Sequence, residues 1–373
     1  MVRKIGKLTA ATAVAAAVTL VSAACSGSSS PASTASSTST SGSTTTTSSS
    51  SAGCTIGTPT SGVVGLQGYQ VCLFAGATTK ANHPDSIVVA GGNVFIAFQN
   101  LAAKDGSDSK TSTIVEYTSS GKQLRSWSTV GHNDGMRMDP STHMLWALSN
   151  EDAKPRLYTI DPTVSGASAV KQYTLPKPAA GGGYDDIQFV NGLSLIDASN
   201  PTLNKAGVNT NPALYKAQLS GTTAKLTPVL MGNAKATTIN APPSTVSLNL
   251  TDPDSMMIDP KGNLVLDSQG DAEMLFIKNV GTPQQKVTVL TVGTQVDDSV
   301  FPTSPKGCVL VTDNNSGVYS ICSSVWVPGT AYAAAPNDSG VIGFVGTVSL
   351  SSGTITPIVV GIANPHGMAF LSQ

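Results

Sequence analysis

The chain has 373 residues, of which only 12% are charged, while 36 are Gly and 22 are Pro. That balance argues against long amphipathic helices, which need Glu, Lys and Arg on their wet faces, and favours many short strands joined by tight turns. A formal charge of −1, with no basic patch and no interleaving of aromatic and basic residues, argues against a nucleic-acid partner.

Arg3, Lys4 and Lys7 precede an Ala-rich apolar run over 8–21, and Ser22, Ala23 and Ala24 are small residues leading to Cys25. Residues 1–24 therefore read as an export signal. Small residues followed directly by Cys resemble a bacterial lipoprotein signal, with Cys25 lipidated as the mature N-terminus; secretion after Ala23 or Ala24 is the alternative. Loss of the signal leaves 18 basic against 22 acidic residues, a charge of −4. Residues 25–53 are almost entirely small and polar with no apolar periodicity, which predicts a flexible tether. The expected product is secreted or anchored to the bacterial cell envelope, touching the membrane only through a lipid on Cys25.

The domain then spans 54–373. Cys54, Cys72, Cys308 and Cys322 are an even set in an exported chain, which predicts two disulfides. GCVLVTDNNSGVYSIC reads as a hairpin whose midpoint, 315, places Cys308 across from Cys322. Cys54 and Cys72 would then pin the N-terminal edge.

From His83 onward a unit recurs: a polar opening, an apolar strand, a turn, and a second apolar strand ending in Asp or Asn. Its copies begin HPDSIVVAGGNVFIAFQN at His83, HNDGMRMDPSTHMLWALSN at His132, YDDIQFVNGLSLIDASN at Tyr184, DPDSMMIDPKGNLVLDSQG at Asp252 and VDDSVFPTSPKGCVLVTDN at Val296, with a shortened NPHGMAFLSQ at Asn364. The third residues of the openings are Asp85, Asp134, Asp186, Asp254, Asp298 and His366, separated by 49, 52, 68, 44 and 68 residues. Such spacing suits one four-stranded blade per copy and predicts an all-β, six-bladed β-propeller, with seven blades as the alternative because of the two long intervals. The last copy ends after one strand, so β-like material in 62–75 must complete its blade and close the ring.

In such a blade the start of the first strand and the end of the second share a rim. The openings thus gather His83, Asp85, His132, Asp134, Tyr184, Asp185, Asp186, Asp252, Asp254, Asp297, Asp298 and His366, and the strand ends add Asn100, Asn150, Glu151, Asn200, Asp267 and Asp313. Oxygen donors converging from several blades suit Ca²⁺ or Mg²⁺, and no organic cofactor is expected. The recurring Asp85, Asp134, Asp186, Asp254 and Asp298 read mainly as turn formers. Departures from the repeat are the catalytic candidates: His83, His132, His366 and Glu151, whose histidines suit general-base chemistry. Trp127, Trp146 and Trp326 read as packing between blades, Trp326 alternatively as a stacking platform for a ligand.

At DPDSMMIDPKGNLVLDSQGDAEMLFI and HNDGMRMDPSTHMLWALSN the chain resembles NHL-repeat and gluconolactonase-like six-bladed propellers. In the lactonase branch that resemblance implies a central divalent cation held by Glu, Asn and Asp of different blades. The similar positions here are Asn150, Asn200, Asp267 and Asp313, with no identifiable counterpart of the Glu. The expected function is a binding or scaffold module, as the resemblance to partner-binding NHL-type members implies, engaging a small molecule, a glycan or a cell-envelope protein as a monomer. The alternative is a divalent-metal-dependent hydrolase or lyase acting on a lactone or sugar acid at the channel mouth.

Overall fold

Each repeat becomes a blade because its apolar runs are covered on both faces. Runs such as VFIAF, LWALS and LVLDS lie in the second strands, where residues pointing to either side are buried. The computed structural model describes residues 54–373 apart from 67, 241 and 339; the expected export signal and tether, with Cys25, lie outside the described residues.

Blade 1 runs Pro84–Ala90, Asn93–Phe98, Thr111–Thr118 and Gln123–Val130, all antiparallel. Blade 2 runs Asn133–Met138, Leu145–Ser149, Arg156–Ile160 and Val170–Thr174. Blade 3 runs Ile187–Val190, Leu193–Asp197, Pro212–Ser220 and Thr223–Met231, and its outer strand touches that of blade 2 through the parallel bridge Thr174↔Thr223. Blade 4 runs Pro253–Ile258, Leu264–Ser268, Glu273–Lys278 and Lys286–Thr291. A hairpin of Lys235–Thr238 and Thr245–Ser247 covers its outer edge and accounts for much of the first long interval.

The last two blades are interwoven. The chain enters blade 5 with Ser299–Val300, leaves for blade 6 to form Gly307–Asp313 and Gly317–Ser323, and returns to blade 5 for Ala331–Ala335, Phe344–Val348 and Ile355–Val360. It then ends as the inner strand of blade 6, Pro365–Ser372. This corrects the repeat alignment. The opening at Val296 does not belong with the strand at Cys308: Ser299 pairs with Ala333, and Cys308 pairs with Leu371. N-terminal strands complete both blades, Val64–Gly65 on blade 5 and Gln70–Gly76 with Thr58–Pro59 on blade 6. First and last strands thus share a sheet, and the six inner strands contact one another in sequence round a closed ring.

Six apolar clusters fill the six gaps between neighbouring blades. Phe95, Trp127 and Met136 join blades 1 and 2, Trp146 and Tyr215 join 2 and 3, and Leu195 and Leu264 join 3 and 4. Val265 and Ala331 join 4 and 5, Val309 and Tyr332 join 5 and 6, and Ile87 and Leu310 close the ring between 6 and 1. Trp326 is 2% exposed and meets Tyr69, Tyr332 and Phe370 edge to face, so it packs the blade 5–6 interface and offers no platform to a ligand.

Both disulfides form, Cys54–Cys72 and Cys308–Cys322, the second between directly opposed residues. Cys308→Ser with Cys322→Ser opens a loop of 14 residues. The loss expected from chain entropy is roughly 3 kcal/mol, read as a lowered denaturation midpoint under non-reducing conditions. An unchanged midpoint would show that the sheet pairing already restrains this loop in the unfolded chain.

Candidate functional site

The mouth of the channel is a cavity of about 430 Å³ built from the six openings. Local register decides which opening residue faces it. In blades 1, 2, 4 and 6 a register shift falls at the opening, beside Pro84, Asn133, Pro253 and Pro365, and the third residue turns inward: Asp85, Asp134, Asp254 and His366. A bulge inserts one extra residue and so re-aims the side chains beyond it. The inward residue stands two places before a paired residue of its inner strand, Ile87, Met136, Met256 or Met368, and in blades 3 and 5, where that residue is Ile187 or Ser299, the second residue of the opening, Asp185 or Asp297, takes the inward place.

The third residues of those two blades point sideways instead. Asp186 accepts from the N–H of Met256 in blade 4 at 2.8 Å, and Asp298 from the N–H of Met368 in blade 6 at 2.7 Å. These two carboxylates fasten one inner strand to the next, an architectural role between blades where a turn former within each opening was expected. Asp85, Asp134 and Asp254 have the other orientation. Gly135 lets the inner strands close up, because its N–H donates to Asp185 O at 2.6 Å and a Cβ there would lie 2.1 Å from that oxygen.

The result is a ring of five carboxylates and one imidazole, one group from each blade. His366 Nδ1 donates to Asp297 at 2.8 Å and faces Asp85 at 3.1 Å. Burial alone would raise the pKa of Asp85, but the hydrogen bond and charge of His366, with a hydrogen bond from Asp134, together outweigh it and hold the carboxyl below its ordinary range. Burial works against a second proton on His366, and the carboxylates of Asp297 and Asp85 overcome it, raising the imidazole well above its ordinary range. Asn364 opposes that protonation: its oxygen is held by the N–H of Asn337, so its NH₂ faces His366 Nε2 at 2.8 Å, and a proton there requires the amide to turn over.

The opposite arc of the ring has no cation of its own. Asp134, Asp185 and Asp254 bring oxygens within 4.8 Å of one another. Both oxygens of Asp185 and Oδ2 of Asp254 are buried without a hydrogen-bond partner. Burial, and then the neighbouring carboxylates, push all three well above the usual carboxylate range. Arg137 lies beneath, bonded to Asp186 at 3.0 Å and to Met256 O, so its charge is used in the channel floor.

Beside this arc, His132 Nδ1 donates to Ala102 O at 2.7 Å, which turns Nε2 toward Glu151 Oε1 at 3.3 Å. Lys104 Nζ reaches the same oxygen at 2.8 Å. Glu151 is buried, yet the neighbouring His132 imidazole and the charge of Lys104 keep its pKa below the ordinary range. At the rim, His83 has the left-handed φ of 55° and gives Nδ1–H to Asn82 Oδ1 at 2.9 Å, an oxygen oriented because Asn82 Nδ2 donates to Thr78 O. Nε2 of His83 then carries the lone pair.

The structure thus brings His83, His132, His366 and Glu151 to one cavity. It places Asn150, Asn200, Asp267 and Asp313 outside the cavity lining. Asn150 and Asn200 have φ of 71° and 51°, as does Asn100 at 54°, and Asn is a residue that tolerates this conformation where a second strand must turn away. Their side chains are engaged, Asn150 with His132 N and Lys154 O, Asn200 with Asp152. Asp313 accepts from the N–H groups of Asn315, Ala363 and Asn364 and from Ser316 Oγ, and Asp259 of DPKGN likewise locks a turn. Tyr184 is buried, its hydroxyl on Pro176 O. Lys104 and Arg137 are the site residues that the repeat did not reveal; an arginine among the apolar residues of MRM was the one available signal.

Asp267 is fully buried with neither oxygen hydrogen-bonded, and burial pushes its pKa well above the ordinary range. A carboxyl whose folded pKa is raised binds its proton more tightly in the folded chain, so stability falls as pH rises from the unfolded value through the folded one. Asp267→Asn is expected to raise the melting temperature at pH 8 and to leave cation content unchanged. A variant that loses cation would restore Asp267 as a ligand.

No protein-family model matches this chain, and no curated protein matches it. Solved structures similar to it include a protein of unknown function from Bacteroides caccae, 8% identical with a TM-score of 0.44 over 78% of this chain and 87% of that one. A catalytically inactive virginiamycin B lyase from Staphylococcus aureus with quinupristin is 12% identical, TM-score 0.42, over 81% and 96%. The periplasmic gluconolactonase of Pseudomonas aeruginosa is 11% identical, TM-score 0.41, over 78% and 88%.

Proposed function

We propose that the channel mouth is the active site of a divalent-cation-dependent hydrolase or lyase acting on a small polyoxygenated substrate of the lactone or sugar-acid type. The observation that carries this reading is the arc of Asp134, Asp185 and Asp254, in which both oxygens of Asp185 and Oδ2 of Asp254 are buried without partners where a purely architectural ring would tie them to backbone N–H groups. Three carboxylates from three blades suit a hard cation such as Mg²⁺ or Ca²⁺, and the cavity has the volume of a small-molecule site. The same arc turns the balance away from a scaffold, which has no use for unpaired buried charge.

The bound cation would supply Lewis-acid polarisation of a carbonyl oxygen. His83, with its proton held on Nδ1 by Asn82, serves as the general base through Nε2 at the rim. Ala102 and Ala103 line the same cavity.

The test is turnover of a panel of sugar lactones and sugar acids by metal-stripped protein, with and without Mg²⁺, Ca²⁺ or Mn²⁺. His83→Gln is expected to lower kcat by about 10²–10⁴ with cation binding intact. Turnover that persists in chelator, or an H83Q protein with unchanged kcat, would overturn these assignments.

A further inference from the structure

The mouth contains two groups of metal-ligating side chains, and they share a residue. One is the all-oxygen set Asp134, Asp185 and Asp254; the other is His132, Asp134 and Glu151, and within each set the ligand atoms lie within 4.8 Å of one another. Two ligands on opposite sides of an ion at about 2.4 Å are roughly this far apart, so each set fits inside one coordination shell. We propose that this is a two-cation centre bridged by the Asp134 carboxylate, an inference that rests on the first cation site and adds a second of different chemistry.

Two observations beyond the clustering of acids point to the second ion. His132 is 5% exposed and its Nε2 makes no hydrogen bond, although it faces the set. Its Nδ1–H is held by Ala102 O, the outer contact that fixes a ligating imidazole in the tautomer that leaves Nε2 free.

The two positions differ in ligand type. The Asp185 side offers oxygen alone and suits Mg²⁺ or Ca²⁺, whereas the His132 side offers imidazole nitrogen and suits a transition ion such as Mn²⁺ or Zn²⁺. Lys104 is the internal competitor. Its ammonium occupies Glu151 while its side chain remains 61% exposed, so it can swing into solvent when an ion arrives.

Mn²⁺ serves as the probe, titrated into metal-stripped full-length protein, with stoichiometry from equilibrium dialysis and spin coupling from electron paramagnetic resonance. The expected result is two Mn²⁺ per chain with a coupled signal. His132→Asn and Glu151→Gln each reduce this to one Mn²⁺ with the six-line signal of an isolated ion, and the pair of variants guards against one of them failing to fold. Lys104→Gln tightens the second step by about tenfold, since a competing charge is removed. One Mn²⁺ in the wild type, lost in Asp254→Asn and indifferent to Lys104→Gln, overturns the second site and leaves the first standing. Two Mn²⁺ retained in both His132→Asn and Glu151→Gln overturns the assignment of ligands, and no Mn²⁺ at all overturns both sites.

Discussion

Asp134→Asn is expected to make the cation-free protein more stable and to abolish the proposed turnover. Burial and the carboxylates of Glu151, Asp85 and Asp185 raise the Asp134 pKa well above its unfolded value. Between those two values the folded chain holds the extra proton, so stability is greatest at the acidic end of the window and declines as pH rises through the folded pKa. Asp185 and Asp254 act in the same direction, for the same cause. Metal-stripped protein should therefore melt lower at pH 8 than at pH 5.5, and saturating Mg²⁺ should restore the loss by binding only the folded state.

Replacing Asp134 by Asn removes one of the repelling charges and should recover on the order of 1–3 kcal/mol at pH 8. Because Asp134 belongs to both ligand sets, the same change should eliminate cation uptake and lower turnover by roughly 10³-fold or more, a loss of several kcal/mol of transition-state stabilisation. A higher melting temperature together with lost activity is the signature of a residue kept for function at the expense of stability. Calorimetry on stripped protein at both pH values, with turnover measured on the same samples, checks the two effects together. A stripped protein that is more stable at pH 8 than at pH 5.5 would contradict the electrostatic account.

Truncation after Ala363 is expected to prevent folding. The deleted segment carries Pro365–Ser372, the inner strand of blade 6, which pairs with Gly307–Asp313 along its length. Met368, Ala369 and Leu371 are buried in the two interfaces that close the ring, against blades 5 and 1. Asp298 would lose the Met368 N–H and be left as a buried charge, and His366 would leave the mouth. Large-to-small changes at single core positions already cost about 2–5 kcal/mol, and losing three apolar side chains with a strand's hydrogen bonds exceeds the roughly 5–15 kcal/mol that holds a typical domain together. Circular dichroism and size-exclusion chromatography of the truncated chain should show no cooperative melt and extensive aggregation. A folded, monomeric product would mean that the interwoven blades 5 and 6 hold without their final strand.

Apolar runs, turns such as Gly91-Gly92-Asn93 and DNNSG, and six polar openings pointed to an all-β propeller of six or seven blades, because strand burial and turn chemistry are local and repeat with the blade; the closed strand order decided for six. The opposition of Cys308 and Cys322 was equally legible, since a hairpin's register is set by its turn. The repeat also named the residues around the mouth, including Asp134, Asp185, Asp254, His132 and Glu151, without distinguishing a turn former from a ligand.

That distinction belongs to the tertiary structure. Whether a carboxylate faces the channel or the neighbouring blade depends on its place relative to the paired inner strand: Asp134 and Asp254 stand two places before Met136 and Met256, whereas Asp186 and Asp298 stand one place before Ile187 and Ser299. The partners that orient His83 and His132, Asn82 and Ala102, come from loops whose course no periodicity encodes. Lys104 meets Glu151 across 47 positions of sequence, and the exchange of strands between blades 5 and 6 joins segments still farther apart. Local chemistry determined that the chain is built of blades and which residues stand at their openings; only packing between blades decided their number and which of those charges were left without a partner, and an unpaired buried charge is what makes a site.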